Sequence, residues 1–450
     1  MKYFTDSISS ILGRCHGSVS AWLLVLTVFL FLAMPSQAAV LVVHSKEDTQ
    51  LLKPKYLAVE YAVKTAIDSN PAVAAMQAQY DALMLVPPEV SALPDPTITF
   101  GAVNFPTDTF SRSQEPMTQL QIGFSQALPF PGKLDLKKQL AKQSALSAFH
   151  EANQHKIEVA QAVKIAWWQI HYIDRAIETL MLNKALMRQF IDVATTQYQA
   201  GVGSFQDVLV AKIELSKLKD KETGLLSQRV KQVIKLNYLM GRALSSPIVI
   251  GVQNTTTILN IISQEMLQKK AMESQPRLKK RGEQVTAAQT KLKIAQRDLY
   301  PDFNLSVNYG ARSNARSDLV SIMVGVKIPL YAGAKQSKNI SQSRFEITNQ
   351  QHKSTDEMMK VKALIATYST NYKRALQQQL LYEKMIIPQA GQVISSMLAQ
   401  YQVNQIDFYK LVNMQMTKFE YELKYWQAVT HAHQALATLE AAVGEGNIYE

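Results

Sequence analysis

The chain has 450 residues, 47% of them hydrophobic, which is ample for a large ordered structure. Its formal net charge is +12, but the basic residues are scattered along the chain with no basic-and-aromatic cluster. That distribution argues against nucleic acid as a partner and for anionic lipid or an acidic protein. The one cysteine, Cys15, precedes an apolar N-terminal run, so the rest of the chain has no thiol for disulfides, nucleophilic catalysis or metal binding.

Residues 1–38 read as a secretory signal. Lys2 and Arg14 precede the apolar run Ala21–Met34, which is short for a spanning helix. Ser36-Gln37-Ala38 places small residues at the positions a signal peptidase needs, so cleavage is expected after Ala38. Removing this segment takes away Lys2, Arg14 and Asp6, a net of one positive charge, and leaves +11. An uncleaved anchor helix is the competing reading of the same run. Cys15 lies on the wrong side of it for a lipoprotein.

The next feature is a duplication. Leu128-Pro129-Phe130-Pro131-Gly132-Lys133 is answered by Ile328-Pro329-Leu330-Tyr331-Ala332-Gly333-Ala334-Lys335. Asn70-Pro71 is echoed by Gln275-Pro276, Leu93-Pro94-Asp95 by Tyr300-Pro301-Asp302, and Tyr198-Gln199-Ala200-Gly201 by Tyr401-Gln402-Val403-Asn404. The expected organisation is a first repeat over 39–242, a linker over 243–263, a second repeat over 264–443 and a tail over 444–450.

In the first repeat, residues 55–92 look helical with a break at Asn70-Pro71. A strand over about 97–105 carries Ile98, Phe100 and Ala102 on one face and Thr97, Thr99 and Gly101 on the other. A polar loop leads to a strand over about 118–128, with Leu120, Ile122 and Phe124 against Gln119, Gln121, Gly123 and Ser125. The second repeat alternates more cleanly. Its strands are expected at about 302–310 (Phe303, Leu305, Val307, Tyr309 on one face) and 319–328 (Val320, Ile322, Val324, Val326, Ile328). Such period-two runs suit a transmembrane barrel wall, apolar toward lipid and polar toward a lumen. Two half-buried hairpins of a soluble protein fit the strand pattern as well.

The helical stretches tip the balance. Each strand pair is followed by a helical hairpin, over about 133–241 and 334–443, whose first arm would reach about 100 Å. Val159, Val163, Ala166, Ile170, Ile173, Ile177 and Leu180 repeat in four-three alternation, the period of a coiled-coil seam. Val361, Ile365, Tyr368, Tyr372 and Ala375 form a second stripe; Val208, Ala211, Leu215 and Leu218 a third. Pro388 is expected to kink its helix. Four strands cannot close a barrel, and open edges are not tolerated in hydrocarbon. If the strands span a membrane, several copies must assemble; three would give twelve strands.

These duplicated motifs, in this order, resemble the TolC family of outer-membrane efflux ducts over about residues 55–443. The Pro94-Asp95-Pro96 and Pro129-Phe130-Pro131-Gly132-Lys133 forms are similar to the branch serving heavy-metal exporters of the resistance-nodulation-division type. The resemblance implies a mainly α fold with a β-barrel part: a homotrimer whose twelve-stranded barrel crosses the outer membrane of a Gram-negative bacterium and continues as an α-helical tunnel through the periplasm. It implies a periplasmic adaptor (membrane fusion) protein and an inner-membrane pump as partners, outer-membrane lipid around the barrel, no cofactor and no enzymatic activity. The expected function is passive export of small solutes, with heavy-metal cations as candidate cargo.

The resemblance assigns the periplasmic tip and gate to Gly201, Val202, Asp207, Asn404, Asp407, Lys410 and Asn413. The family often carries aspartates where Lys410 and Asn413 stand here, so a constriction without the usual acidic ring is expected. Lys410 facing solvent or pairing with an acid across the interface is the competing reading. Pro129, Gly132, Pro329 and Gly333 are assigned to the turns joining barrel to tunnel. His150 and His155, like His431 and His433, do not share a helix face, and His171 beside Trp167 and Trp168 reads as a packed histidine. No metal-site spacing, nucleophile-base pairing or phosphate loop stands out. Three other readings stay open: a duct for type I protein secretion, a periplasmic coiled-coil scaffold held by an uncleaved N-terminal helix, and a membrane-attached hydrolase.

Overall fold

The computed structural model describes residues 56–251, 260–313, 316–403, 405–446 and 448–449. The signal segment 1–38, Asn404 and part of the linker lie outside the described residues. In chain order the elements are α1 (Val59–Ser69), α2 (Pro71–Met84), α3 (Val86–Ser91), β1 (Thr97–Val103), β2 (Gln119–Leu128), α4 (Lys133–Gln199) and α5 (Phe205–Leu239). Then come α6 (Gln264–Ser274), α7 (Pro276–Arg297), β3 (Asp302–Ala311), β4 (Leu319–Lys327), α8 (Gln336–Leu381), a π turn (Tyr382–Ile386), α9 (Ile387–Gln402) and α10 (Phe408–Val443).

The strands form one antiparallel meander in the order β1-β2-β3-β4, leaving β1 and β4 as open edges. Register aligns like with like. Phe100 lies opposite Ile122, and Phe124 opposite both Ile98 and Val307. Val307 in turn faces Ile322. The result is one continuous apolar face, and it is exposed: Phe100 is 79% accessible and Ile322 70%. The opposite face is small and polar. Gly123 sits between Thr99 and Asn308, where an added Cβ would meet both side chains at under 2.5 Å. A single chain therefore carries an open sheet, not a closed barrel.

The helices are built on the stripes read above. Helix α4 runs 67 residues, about 100 Å, and packs along α5, α7 and α10. Val159, Val163, Ala166, Ile170, Ile173 and Leu180 are buried, and Ile177 packs against the same core. Three apolar clusters hold the bundle, two of them side by side and the third farther along the helices. One lies around Trp167 with α1. A second is formed by Val361, Ile365 and Tyr372 with Leu436 and Leu439. The third, around Phe190, Phe408 and Phe419, lies toward the hairpin turns. Among the described residues no helix is long and apolar enough to cross a membrane.

The break at Pro388 takes a specific form. Proline has no N–H, and its ring collides with the carbonyl four residues back, that of Lys384. The helix widens to a π turn just before it, and the Ile387 amide reaches the Tyr382 carbonyl, five residues back. At Asn70 the side-chain oxygen accepts from the Ala72 amide, and its amide group donates to the Leu239 carbonyl. The first break is thus both a helix cap and a tie to the end of α5.

His171 is buried, and His433 stacks on Trp168 with ring centroids 3.6 Å apart. Burial pushes both imidazoles down to about 4; Arg175 adds to the effect on His171, and His171 to that on His433. Their folded-state affinity for protons is below the ordinary value of 6.5. The stability they contribute is therefore present above about 6.5 and lost as pH falls toward 4. The thermal midpoint should drop over that interval, and His433→Phe, which keeps the stack, should flatten the drop. A His433→Phe profile identical to the wild type would show that this stack does not carry the titration.

Candidate functional site

Two places gather the residues singled out by sequence: the joint between sheet and helices, and the turns of the helical hairpins. At the joint Gly132 adopts φ +85, a left-handed conformation that favours glycine, and starts α4. Lys133 is buried. Its ammonium pairs with Asp302 at 2.8 Å and Asp298 at 3.3 Å, and donates to the Tyr300 carbonyl at 3.4 Å. Asp302 also accepts the Phe130 amide at 2.8 Å. Phe130 stacks on Tyr300, with the Arg297 guanidinium near both rings. Pro129 fixes the entry to this loop. The joint thus ties the motif after β2 to the motif before β3.

The second joint differs. Pro329 is half-buried, Gly333 has no positive φ, and open space surrounds it. Gly333 lies within a turn over residues 330–335, in a motif two residues longer than Leu128–Lys133. Its turn closes through the Ala334 and Lys335 amides, which both reach the Tyr331 carbonyl.

At the other end of the helices the first hairpin turns through a Schellman motif. The Gly201 amide donates to the Tyr198 carbonyl and the Val202 amide to the Gln197 carbonyl, with Gly201 at φ +72. Ser204 then caps α5 through the Gln206 amide. In the second hairpin Asp407 caps α10 by accepting the Tyr409 amide at 2.7 Å. Lys410 and Asn413, three residues apart, are both exposed, while Phe408, Leu411 and Val412 face the core. Among the described residues Lys410 has no acidic partner within the chain.

The two turns meet around a cleft of about 690 Å³ lined by Gln197, Asp207, Tyr401, Gln405 and Asp407. The Tyr401 hydroxyl donates to Asp207 at 3.4 Å, and the Gln197 amide group to the Gln402 carbonyl at 3.5 Å. Burial raises the Asp207 carboxyl above its ordinary range. The Tyr401 bond pulls the other way, and Asp407 pushes it up again. Burial, then Asp207, pushes the Tyr401 phenol up to about 12. Sequence reasoning named Asp207 but saw Tyr401 only as part of a repeated break. The link joins residues 194 positions apart, and no local pattern marks it.

A long helical body bearing a small sheet with one exposed apolar face is the architecture of an outer-membrane channel. A family model described as "Outer membrane efflux protein" matches residues 62–242 and 267–445, and the chain belongs to that family. The family is one of channels of the outer membrane with a periplasmic extension, not of enzymes. Among solved structures, the fold is similar to a membrane protein from Pseudomonas aeruginosa (TM-score 0.74, 14% identity, covering 86% of this chain and 93% of that one). It is similar to VceC from Vibrio cholerae, an outer membrane protein (TM-score 0.71, 14% identity, 86% and 96%). It is also similar to the open state of the MtrE outer membrane channel from Neisseria gonorrhoeae (TM-score 0.71, 11% identity, 86% and 89%). No curated protein matches by sequence.

The joint makes a direct prediction. Asp302→Ala leaves the buried Lys133 ammonium with only Asp298 and the Tyr300 carbonyl and should cost about 2 kcal/mol. Thermal unfolding followed by circular dichroism should show a lowered midpoint, and Lys133→Met in the same background should recover part of the loss. An unchanged midpoint for Asp302→Ala would remove the joint from the stability account.

Proposed function

We propose that this protein is the outer-membrane duct of a tripartite efflux system, a homotrimer that conducts small solutes passively across periplasm and outer membrane. The carrying observation is the four-stranded sheet with an exposed apolar face and two open edges, fused to helices about 100 Å long. Unpaired edge amides are costly in hydrocarbon, so the edges call for copies of the same sheet, and three copies supply twelve strands. Outer-membrane lipid would cover the apolar face. A periplasmic adaptor and an inner-membrane pump of the resistance-nodulation-division type would meet the hairpin turns and supply the energy. Heavy-metal cations are the proposed cargo on the strength of the Pro-Asp-Pro and Pro-Phe-Pro-Gly-Lys forms. The two repeats, 39–242 and 264–443, would each give two strands and one hairpin.

In this reading Gly201, Val202, Asp207, Asn404, Asp407, Lys410 and Asn413 form the periplasmic mouth, and the Tyr401–Asp207 bond holds it shut. Opening pulls the second hairpin from the first, breaks that bond and hydrates Asp207. The mouth would present Lys410 and Asn413 where an acidic ring would favour cations.

The test is planar-bilayer conductance of the purified protein. Tyr401→Phe removes a bond worth about 1 kcal/mol per chain. Over three copies that is on the order of a hundredfold in the open-to-closed ratio, read as open probability. Equal open probability in wild type and variant would dismiss the gate, and a monomer without channels would dismiss the duct. The closed mouth binds protons more tightly at Asp207 than the open one, because the closed-state pKa is the raised one. Lowering pH toward the ordinary value of 3.8 should therefore favour closure, and Asp207→Asn should abolish that dependence. At fixed pH, Lys410→Asp should shift selectivity toward cations; unchanged selectivity would place Lys410 away from the conduction path.

A further inference from the structure

The internal repeat and the two open edges together specify how one copy meets the next. Within the chain, β2 pairs with β3 so that Phe124 lies opposite Val307 and Leu128 opposite Phe303. The motif ending β2, Leu128-Pro129, corresponds to Ile328-Pro329 after β4. The motif opening β3, Pro301-Asp302, corresponds to Pro94-Asp95 before β1. The β2–β3 seam is therefore the intrachain version of a β4–β1 seam that a single chain cannot make.

In the barrel proposed above, β4 of one copy meets β1 of the next, and we infer the register and lock of that seam: Val324 stands opposite Phe100 and Val326 opposite Ile98, and Lys335 of the first copy pairs with Asp95 of the second. The inference rests on the oligomeric-barrel reading and gives that barrel its intermolecular register and lock.

Three observations carry it. The transferred register was obtained from the motifs alone, yet it keeps the apolar face continuous. Ile98 and Phe100 share a face with Ile122 and Phe124, and Val324 and Val326 share it with Leu305 and Phe303. A slip of one residue would put each apolar side chain opposite one on the polar face. Second, the charges that would form the lock are left over. Lys133 and Asp302 are paired within the chain, whereas their counterparts Lys335 and Asp95 are both exposed, with no ion pair between them or to any other described residue. Third, the apolar part of the joint is also left over. Phe130 is covered by Tyr300, but the corresponding Leu330 is 81% accessible, Tyr331 beside it 79%, and Leu93, the counterpart of Tyr300, 52%. Leu330 or Tyr331 of one copy against Leu93 of the next repeats the Phe130–Tyr300 contact.

Removing Cys15 gives a cysteine-free background in which this register can be read by cross-linking. Residues directly opposite in an antiparallel pair have Cα atoms about 4.5–5.5 Å apart, within disulfide reach. Oxidised Phe100→Cys/Val324→Cys protein, purified in detergent, should run as covalent dimers and trimers on a denaturing gel. Phe100→Cys paired with Met323→Cys should not. Light scattering on the same sample separates the two levels of the argument. An oligomer that cross-links through Met323 or Gly325 but not Val324 overturns the register and leaves the barrel standing. A monomer overturns both. For the lock, Asp95→Lys and Lys335→Asp should each lower the oligomer surviving mild heating by roughly tenfold, and the double reversal should restore it. A double reversal no better than either single change overturns the ion pair.

Discussion

On the proposed assembly one constraint governs the sheet: a strand edge in hydrocarbon must be paired. Backbone amides without partners cost several kcal/mol each where no water can reach them. The chain carries four strands and leaves two edges open. On the proposed assembly, no copy is complete alone. The exposed apolar side chains on the sheet would be a liability in a soluble monomer, and they become the lipid-facing wall once the ring is closed. The chain leaves β2 and returns at β3, its immediate neighbour, only after the excursion through α4 to α7. Both ends of that excursion are clamped by Lys133 and Asp302 at the joint.

The helical body uses a different economy. Its clusters are buried by stripes of small and branched residues, so a helix of 67 residues can be held along its whole length by narrow contacts. Polar groups fill the gaps between stripes. Asn183 donates to the Thr179 carbonyl and accepts from Gln415, and Arg229 reaches Asp174 at 2.6 Å and the Ile248 carbonyl at 3.1 Å. Those ties are directional where the apolar stripe is not. They fix the rotation of one helix against another.

Much of this was legible in the sequence because it depends on local period. The alternation of Phe303, Leu305, Val307 and Tyr309 and the four-three stripe from Val159 to Leu180 each report the face that ends up apolar or buried. What stayed illegible depends on partners far apart in the chain or on a choice between local solutions. Pro388 announced a disturbance, but whether a helix kinks, ends or widens to a π turn is decided by its packing. The Tyr401–Asp207 bond and the Trp168–His433 stack join residues 194 and 265 positions apart, and only the antiparallel return of the helices brings them together. Asp407 combines two roles that share one place in the chain: its carboxylate lines the cleft beside Asp207 and accepts the Tyr409 amide as the cap of α10.

The two joints differ in burial and in the partners their charges have. The intrachain joint has a buried ammonium, a stacked ring pair and a guanidinium beside the rings. All of its members belong to one chain, so it needs no second copy. The other joint has a longer loop, and Val90 stands where Arg297 stands in the first. Its charges are exposed in the isolated chain, where water solvates them at little cost. A buried lysine waiting for a partner would be expensive, because an unpaired charge in the interior costs several kcal/mol. Placing the buried pair within the chain and the solvated pair between chains lets each copy fold first and assemble afterwards. On the proposed assembly the differences between the two joints divide the labour: one seam is made in folding, and the other when the ring closes.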